Sequence, residues 1–333
     1  MFTLRFDLRA PAFGATATDL YAAAIEMCAW SESRGAALAV LSEHHGAEDG
    51  HLPAPTLLAS AIAARTTKLS IIMAAVVLPL WDPVRLAEEM AVLDLISRGR
   101  VIYALGIGHR AAEYEHFGID VHRRGEMADE YLPVLLDLLR GNSVEYKGRR
   151  VTVTPSCSST AGPTVMIAGG SPAAARRAAR NGLGLVSQTY RPELKDIYEA
   201  ECRAHGREPG FVQFPDPTGP TAVFVADDID RAWRELGPHL LHDARMAASY
   251  RPGDDTVASI SRAETVDELR AENGAYRVLS VAEAAETMAT GRLLPLAPLC
   301  GGLAPEIAWR YLEHAASAVE RSRRPNEPAS STN

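Results

Sequence analysis

The sequence predicts an α/β fold: a closed (β/α)8 TIM barrel with insertions. Strand-like and helix-like stretches alternate through about eight strand-then-helix units over roughly 300 residues. Several strands are continuous apolar runs, as parallel strands covered on both faces require. No composition break marks a linker, so residues 1–320 read as one domain. Residues 321–333, "RSRRPNEPASSTN", read as a disordered tail because they are rich in Pro and Ser. A doubly wound open sheet is the alternative fold.

"TLRFDL" (3–8) alternates apolar and polar residues and opens the first unit, and Thr18 to Ser33 carries apolar residues at helical spacing. "ALAVLS" (37–42) is a second strand and residues 55–65 its helix. "KLSIIMAAVVL" (68–78) is the third strand. Pro83 starts "PVRLAEEMAVLDLIS", with proline in the first helical position. "VIYALGIG" (101–108) is the fourth strand, followed by a helix over 124–140. "VEYKGRRVTVTP" (144–155) reads as a hairpin turning at Lys147-Gly148. "TVMIA" (164–168), a helix over 172–180, "LGLVS" (183–187) and a helix over 192–205 continue the pattern. "TAVFVA" (221–226) feeds a helix over 228–247. The polar stretch 250–275 reads as an excursion. "YRVLS" (276–280), a short helix, and "RLLPLAPLCGG" (292–302) precede the last helix, 305–320.

The formal charge is −8 and the isoelectric point near 5.7, with no basic arm, which argues against nucleic acid as a partner. Four scattered cysteines form no CxxC pair, so a cytoplasmic setting is expected. The amino terminus lacks the apolar core of a signal peptide, and no stretch approaches a membrane span.

In a parallel barrel the chemistry sits where strands end and βα loops begin. Glu43, His44 and His45 lie at such an edge. Imidazole exchanges protons near neutral pH, so His44 and His45 are both candidates for proton transfer. His45 either faces substrate or is a hydrogen-bonded rim residue. No HxH or HExxH spacing supports a metal. Met73, Ala74 and Ala75 are small or apolar at the next strand edge, where a flat ring can lie against the main chain; ordinary strand core is the alternative. Gly106-Ile107-Gly108 matches part of a dinucleotide fingerprint but follows a fourth strand, not a first. Its glycines either admit a ligand to the backbone or mark a bare turn.

"MIAGGSPAAARRAAR" is the most readable site. A strand ends, Gly169 and Gly170 follow, Ser171 caps, and Pro172 opens a helix whose first turn holds no acid. Free amides and the helix dipole there favour an anion such as phosphate. A capped helix with nothing bound is the alternative. Arg123 or Arg124 could reach the same anion; a solvated surface arginine is the alternative. Tyr190 and His242 are candidate substrate contacts.

The order and spacing of "EHH", "AA-V-LP", "P-R-AE", "LD-S-GR" and "FG", with the later "GGSPAAARRAAR" and "TGPTAVFVADD", resembles the bacterial luciferase-like monooxygenase family over roughly residues 35 to 315. The resemblance implies a barrel holding reduced FMN, or the deazaflavin coenzyme F-420, at the carboxyl ends of its strands. His44 matches the histidine that assists flavin oxygen chemistry, with Glu43 or a backbone carbonyl fixing its tautomer. Ala74 and Ala75 match the site of a non-prolyl cis peptide under the flavin. Gly169, Gly170 and Ser171 match a phosphate-binding turn. Where luciferases carry Cys-Arg this chain has Gly106-Ile107, so a phosphate-gripping arginine is absent and Arg124 is the substitute. The implied activity is a monooxygenase using dioxygen, a small-molecule substrate and a separate flavin reductase, with a homodimer expected. Hydride transfer with the deazaflavin, and a non-catalytic flavin-binding subunit, are the rivals.

Overall fold

A computed structural model describes residues 1–253, 257 and 260–323. The expected tail lies outside the described residues except for 321–323, which extend the last helix. Five positions of the 250–275 excursion also fall outside them.

The first half of the chain contains β1 (Phe2–Phe6), α1 (Ala17–Ser31), β2 (Ala36–Leu41), α2 (Pro55–Arg65), β3 (Ser70–Val77), α3 (Pro83–Ser97) and β4 (Val101–Gly106). Then come α4 (Ala111–His116), α5 (Arg124–Leu139), the hairpin β5 (Val144–Tyr146) and β6 (Arg149–Val151), β7 (Thr164–Ala168) and α6 (Pro172–Arg180). The second half continues with β8 (Gly184–Val186), α7 (Glu193–Ala204), β9 (Val212–Gln213), β10 (Ala222–Ala226) and α8 (Ile229–Ser249). It closes with α9 (Val266–Glu272), β11 (Tyr276–Ser280), α10 (Val281–Ala289), β12 (Leu294–Leu296) and α11 (Pro305–Arg323).

Among the described residues ten strands form one sheet in the order β11-β10-β12-β1-β2-β3-β4-β7-β8-β9, and every pairing within it is parallel. Phe2, Leu4, Phe6, Ala39, Leu41, Ile71, Met73 and Val101 are buried in the core, as parallel strands sheathed by helices must be. This is the α/β barrel architecture; among the described residues no ladder joins β9 to β11. Of the sheet's ten strands, β9 is the one without a counterpart among the strand stretches read from the sequence, because it pairs through only two residues, too few to leave a periodic signal.

Because all ten strands point one way, their carboxyl ends share one rim. Helix starts are fixed locally: Asp82 accepts from the amides of Val84 and Arg85, and Ser171 accepts from the amide of Ala174. α3 stops at Arg98 and Gly99, both at positive φ. The hairpin turns at Lys147 and Gly148, where the sequence places it.

Candidate active site

His44 follows β2 by three residues, and its loop is pinned at several points. The amide of His44 donates to the carbonyl of Leu52, and the amide of Leu52 donates to that of Asp7. The His44 side chain reaches across to α4, where its Nδ1 lies 2.9 Å from Glu113 Oε1. The same oxygen accepts from the amide of His45 and from Arg110. A nitrogen facing an ionised carboxylate carries the proton, which leaves the lone pair on Nε2. Among the described residues Nε2 has no hydrogen-bond partner.

Burial pushes the His44 pKa down, partly offset by Glu113, so the ring is neutral at neutral pH. Burial alone would raise the pKa of Glu113, but its hydrogen bonds from His44 and the His45 amide, with the charge of Arg110, hold it below the ordinary carboxylate value.

Glu43 departs from expectation. It is 2 % exposed, and both of its oxygens are taken. Oε2 accepts from the amide of Val77, and Oε1 accepts from the Trp81 indole and pairs with His45 Nε2 at 2.8 Å. Glu43 therefore ties the β2 loop to the end of β3, and the partner of His44 is Glu113. Consecutive side chains on an extended segment point opposite ways, so Glu43 and His44 cannot both face the mouth. His45 is drawn into the Glu43 bond, with its ring edge-on to Phe117.

At the end of β3, Met73 is fully buried and the peptide between Ala74 and Ala75 is cis. The β3–β4 register shifts between Ala74 and Val76. Gly106 sits alongside: a Cβ placed there would meet the Ala75 Cβ at 3.3 Å and the Ala168 carbonyl at 3.5 Å. Ala75, Gly106 and Ala168 thus make a low, apolar floor across three strand ends.

Beside that floor the chain turns through Gly169 and Gly170 into α6. A Cβ on Gly170 would lie 2.7 Å from Thr189 Oγ1, and one on Gly169 would lie 2.6 Å from the Ala174 Cβ. The first turn of α6 carries no acid. Arg124, at the start of α5, donates from one terminal nitrogen to the Val121 carbonyl, while its buried Nε lacks a partner. It acts electrostatically on Tyr114, whose hydroxyl donates to the Ile107 carbonyl just after β4. Arg191, which sequence reasoning missed, lies 3.5 Å from the Gly170 carbonyl. Flat floor, free amides and nearby guanidinium groups match a planar group with an anionic tail.

A cavity of about 600 Å³ opens next to His44, walled by the loops after β2 and β4 and the end of α8. His109, Arg110, Met246, Ser249 and Tyr250 line it. The rings of His51, Tyr250 and His109 stand 4.2, 5.5 and 6.3 Å from that of His44. His51 is held well below its ordinary pKa and His109 near 4, in each case chiefly by burial.

Behind this wall, Arg9 is 1 % exposed. It pairs with Asp49 and Asp243 and donates to the Tyr250 hydroxyl. His242 bonds Asp49 at 2.9 Å and so supports Arg9 without lining the cavity. Tyr190 is half exposed, beside the Thr189 that packs on Gly170, and does not line the cavity either. No sequence motif marked Arg9, His51, Glu113 or Tyr250.

The family model for luciferase-like monooxygenases matches residues 5–294. The oxygenase component of a flavin-dependent trigonelline monooxygenase from Acinetobacter baylyi is 29 % identical over 174 residues, 50 % of this chain and 48 % of that protein. An alkanal monooxygenase alpha chain from the Kryptophanaron alfredi symbiont is 28 % identical over 188 residues, 54 % of this chain and 53 % of that protein. The chain thus spans about half the length of the curated relatives it matches. Among solved structures, monooxygenase RslO1 from Streptomyces bottropensis superposes with a TM-score of 0.77 at 22 % identity, covering 97 % of this chain and all of that one. The oxygenating constituent of 3,6-diketocamphane monooxygenase from Pseudomonas putida, solved with FMN, gives 0.64 at 16 % identity, covering 98 % and 99 %. These likenesses carry the fold, and the match of the family model along nearly the whole barrel carries the assignment: the chain belongs to the luciferase-like monooxygenase family.

Proposed function

We propose that the chain is the oxygenase of a flavin-dependent monooxygenase system that takes reduced FMN, dioxygen and a small organic substrate. The observation that carries this reading is His44, whose Nδ1 is anchored by Glu113 and whose Nε2 is free at the rim of the barrel. The floor of Ala74, Ala75, Gly106 and Ala168 would lie against the isoalloxazine, whereas Met73, expected to touch it, is fully buried beneath. The amides after Gly169 and Gly170, with Ser171, Arg124 and Arg191, would hold the phosphate. Bound there, reduced flavin supplies the electrons that activate dioxygen.

The chain's own part is electrostatic and geometric. His44 Nε2 accepts a proton or a hydrogen bond at the reacting edge, and Glu113 stabilises the imidazolium that results. The apolar floor and the loops after β2 and β4 would shield the reacting edge from water once flavin and substrate fill the cavity.

A separate reductase would supply the reduced flavin. Exposed Leu57, Val92, Leu95 and Ile96 on α2 and α3 support a homodimer. Among the described residues no helix is long and apolar enough to cross a membrane; a cytoplasmic location is part of the proposal. Gly106-Ile107, in place of Cys-Arg, favours a second reading, hydride transfer with coenzyme F-420.

Titration with reduced FMN and with reduced F-420 separates the two. In the FMN reading, His44→Ala binds FMN as the wild type does and loses turnover at least a hundredfold. Unchanged turnover removes His44 from the mechanism. Failure of both cofactors to support any oxidation favours a non-catalytic flavin-binding subunit.

A further inference from the structure

Tyr250 is the C-cap of α8, so it stands on a helix end rather than on a free loop. Its hydroxyl accepts from Arg9 at 3.2 Å. One guanidinium, that of Arg110, sits 3.8 Å from the centre of its ring, and that of Arg9 sits 5.1 Å away. Arg110 is in turn fixed by Glu113 and by the carbonyl of His45. Arg9 is fixed by Asp49 and Asp243, and Asp243 by the Tyr276 hydroxyl. The ring is therefore held on its face and at its tip by groups that are themselves anchored in three elements.

That same ring borders two spaces. On one side it lines the cavity of about 600 Å³. On the other it contacts the imidazoles of His44, at 5.5 Å, and His51, nearly parallel to it at 6.3 Å. We propose that Tyr250 is a specificity-determining wall: it sets how far a molecule in the cavity can extend toward His44 and so excludes bulky ring systems. A tethered aromatic ring discriminates by size more sharply than a mobile side chain, because yielding would break the Arg9 bond and the Arg110 stack together. The inference rests on the His44-centred reading only for what the wall guards.

The test uses two fluorescent probes, 2-naphthol and 2-hydroxyanthracene, which share one hydroxyl and differ by one ring. Dissociation constants are measured with oxidised FMN in excess, which keeps the planar three-ring probe off the proposed flavin floor, on the full chain as wild type, Tyr250→Phe, Tyr250→Ala and, should the alanine variant not fold, Tyr250→Leu. Wild type should prefer the two-ring probe at least tenfold, and Tyr250→Phe, which keeps the Arg110 stack but loses the Arg9 bond, should prefer it less strongly. Truncation should narrow that preference at least fivefold by tightening the three-ring probe, which should then shift the His44 imidazole resonance as it does not in wild type. An unchanged preference in a folded truncation overturns the proposal, as does failure of either probe to bind any of the proteins. The flavin titrations are a separate measurement: a protein that rejects both cofactors yet shows the probe switch loses the oxygenase reading and keeps the wall.

Discussion

Replacing Glu113 by Gln tests the central dyad most directly. Glu113 is 1 % exposed and its Oε1 serves three donors: His44 Nδ1 at 2.9 Å, the His45 amide at 3.1 Å and Arg110 at 2.9 Å. Gln keeps the shape and one acceptor but removes the charge. A hydrogen bond to a charged group contributes about 1.5–3 kcal/mol, and two such bonds, to His44 and Arg110, are weakened here. Removing one partner of a buried ion pair costs about 3–5 kcal/mol when nothing replaces it, so a substitution that retains an acceptor should cost about 2–3 kcal/mol of stability. The same charge raises the pKa of His44 against the lowering effect of burial. Without it the pKa falls further, and the preference for the Nδ1–H tautomer weakens. If one charged bond is lost in the reacting state, turnover falls about ten- to a hundredfold. Nitrogen-15 histidine spectra recorded against pH report both tautomer and titration, with His44→Asn identifying the resonance; reoxidation of reduced FMN reports turnover. A loss of stability alone is what a merely structural carboxylate would give. An unaltered His44 tautomer, or a titration that moves to higher pH, would falsify the dyad.

Gly170→Ala places a methyl 2.7 Å from Thr189 Oγ1 and 2.9 Å from its Cβ. Overpacking of this kind costs about 1–3 kcal/mol. The thermal midpoint should fall and FMN should bind more weakly; a variant as stable as the wild type means the turn is looser than its geometry. Asp7 provides a pH signature. Burial and the neighbouring Asp243 raise its pKa from the ordinary 3.8 to about 7, against the pull of Arg9. The folded chain therefore keeps a proton that the unfolded chain has lost between about pH 4 and 7, and stability falls as pH rises through that window before levelling off. In urea unfolding, the stability of Asp7→Asn relative to wild type should climb by as much as roughly 4 kcal/mol from pH 4 to pH 8. A pH-independent difference would refute the assignment.

Much of the fold was readable because its signals are local. The runs "ALAVLS" and "TVMIA" lie on β2 and β7, and Pro55, Pro83, Pro172 and Pro305 each open a helix. The turn from Gly169 to Pro172 was readable for the same reason: strand end, glycines, cap and helix start are consecutive. Six-residue α4 and two-residue β9 are too short to show a period. α4 happens to carry Glu113. His44 was legible as an imidazole at a strand end, but its partner lies 69 residues away, and the adjacent acid Glu43 was the natural candidate. Adjacency misleads on an extended segment, where neighbours face opposite sides. Arg9, one arginine in a loop, resembles a surface residue until Asp49 and Asp243 close on it from distant segments.

What those distant contacts build is a site whose imidazoles stay neutral. His44, His51 and His109 crowd together, and burial disfavours a charge on each of them. Arg9 and Arg110 press in the same direction, because a protonated ring beside a guanidinium is repelled. Of the three, His44 is the one hydrogen-bonded to a carboxylate; the same Glu113 acts on His109 only through its charge. Glu113 restores part of the basicity that burial removes, and it does so at Nδ1, so the proton-accepting atom is Nε2. A lone buried histidine would be too weak a base, and an exposed one would be protonated as readily as bulk imidazole. The carboxylate, the two arginines and the rings of His51 and Tyr250 set His44 between those limits, which is why the residues that matter most to its chemistry come from the loops after β1, β2 and β4, from α4 and from the end of α8.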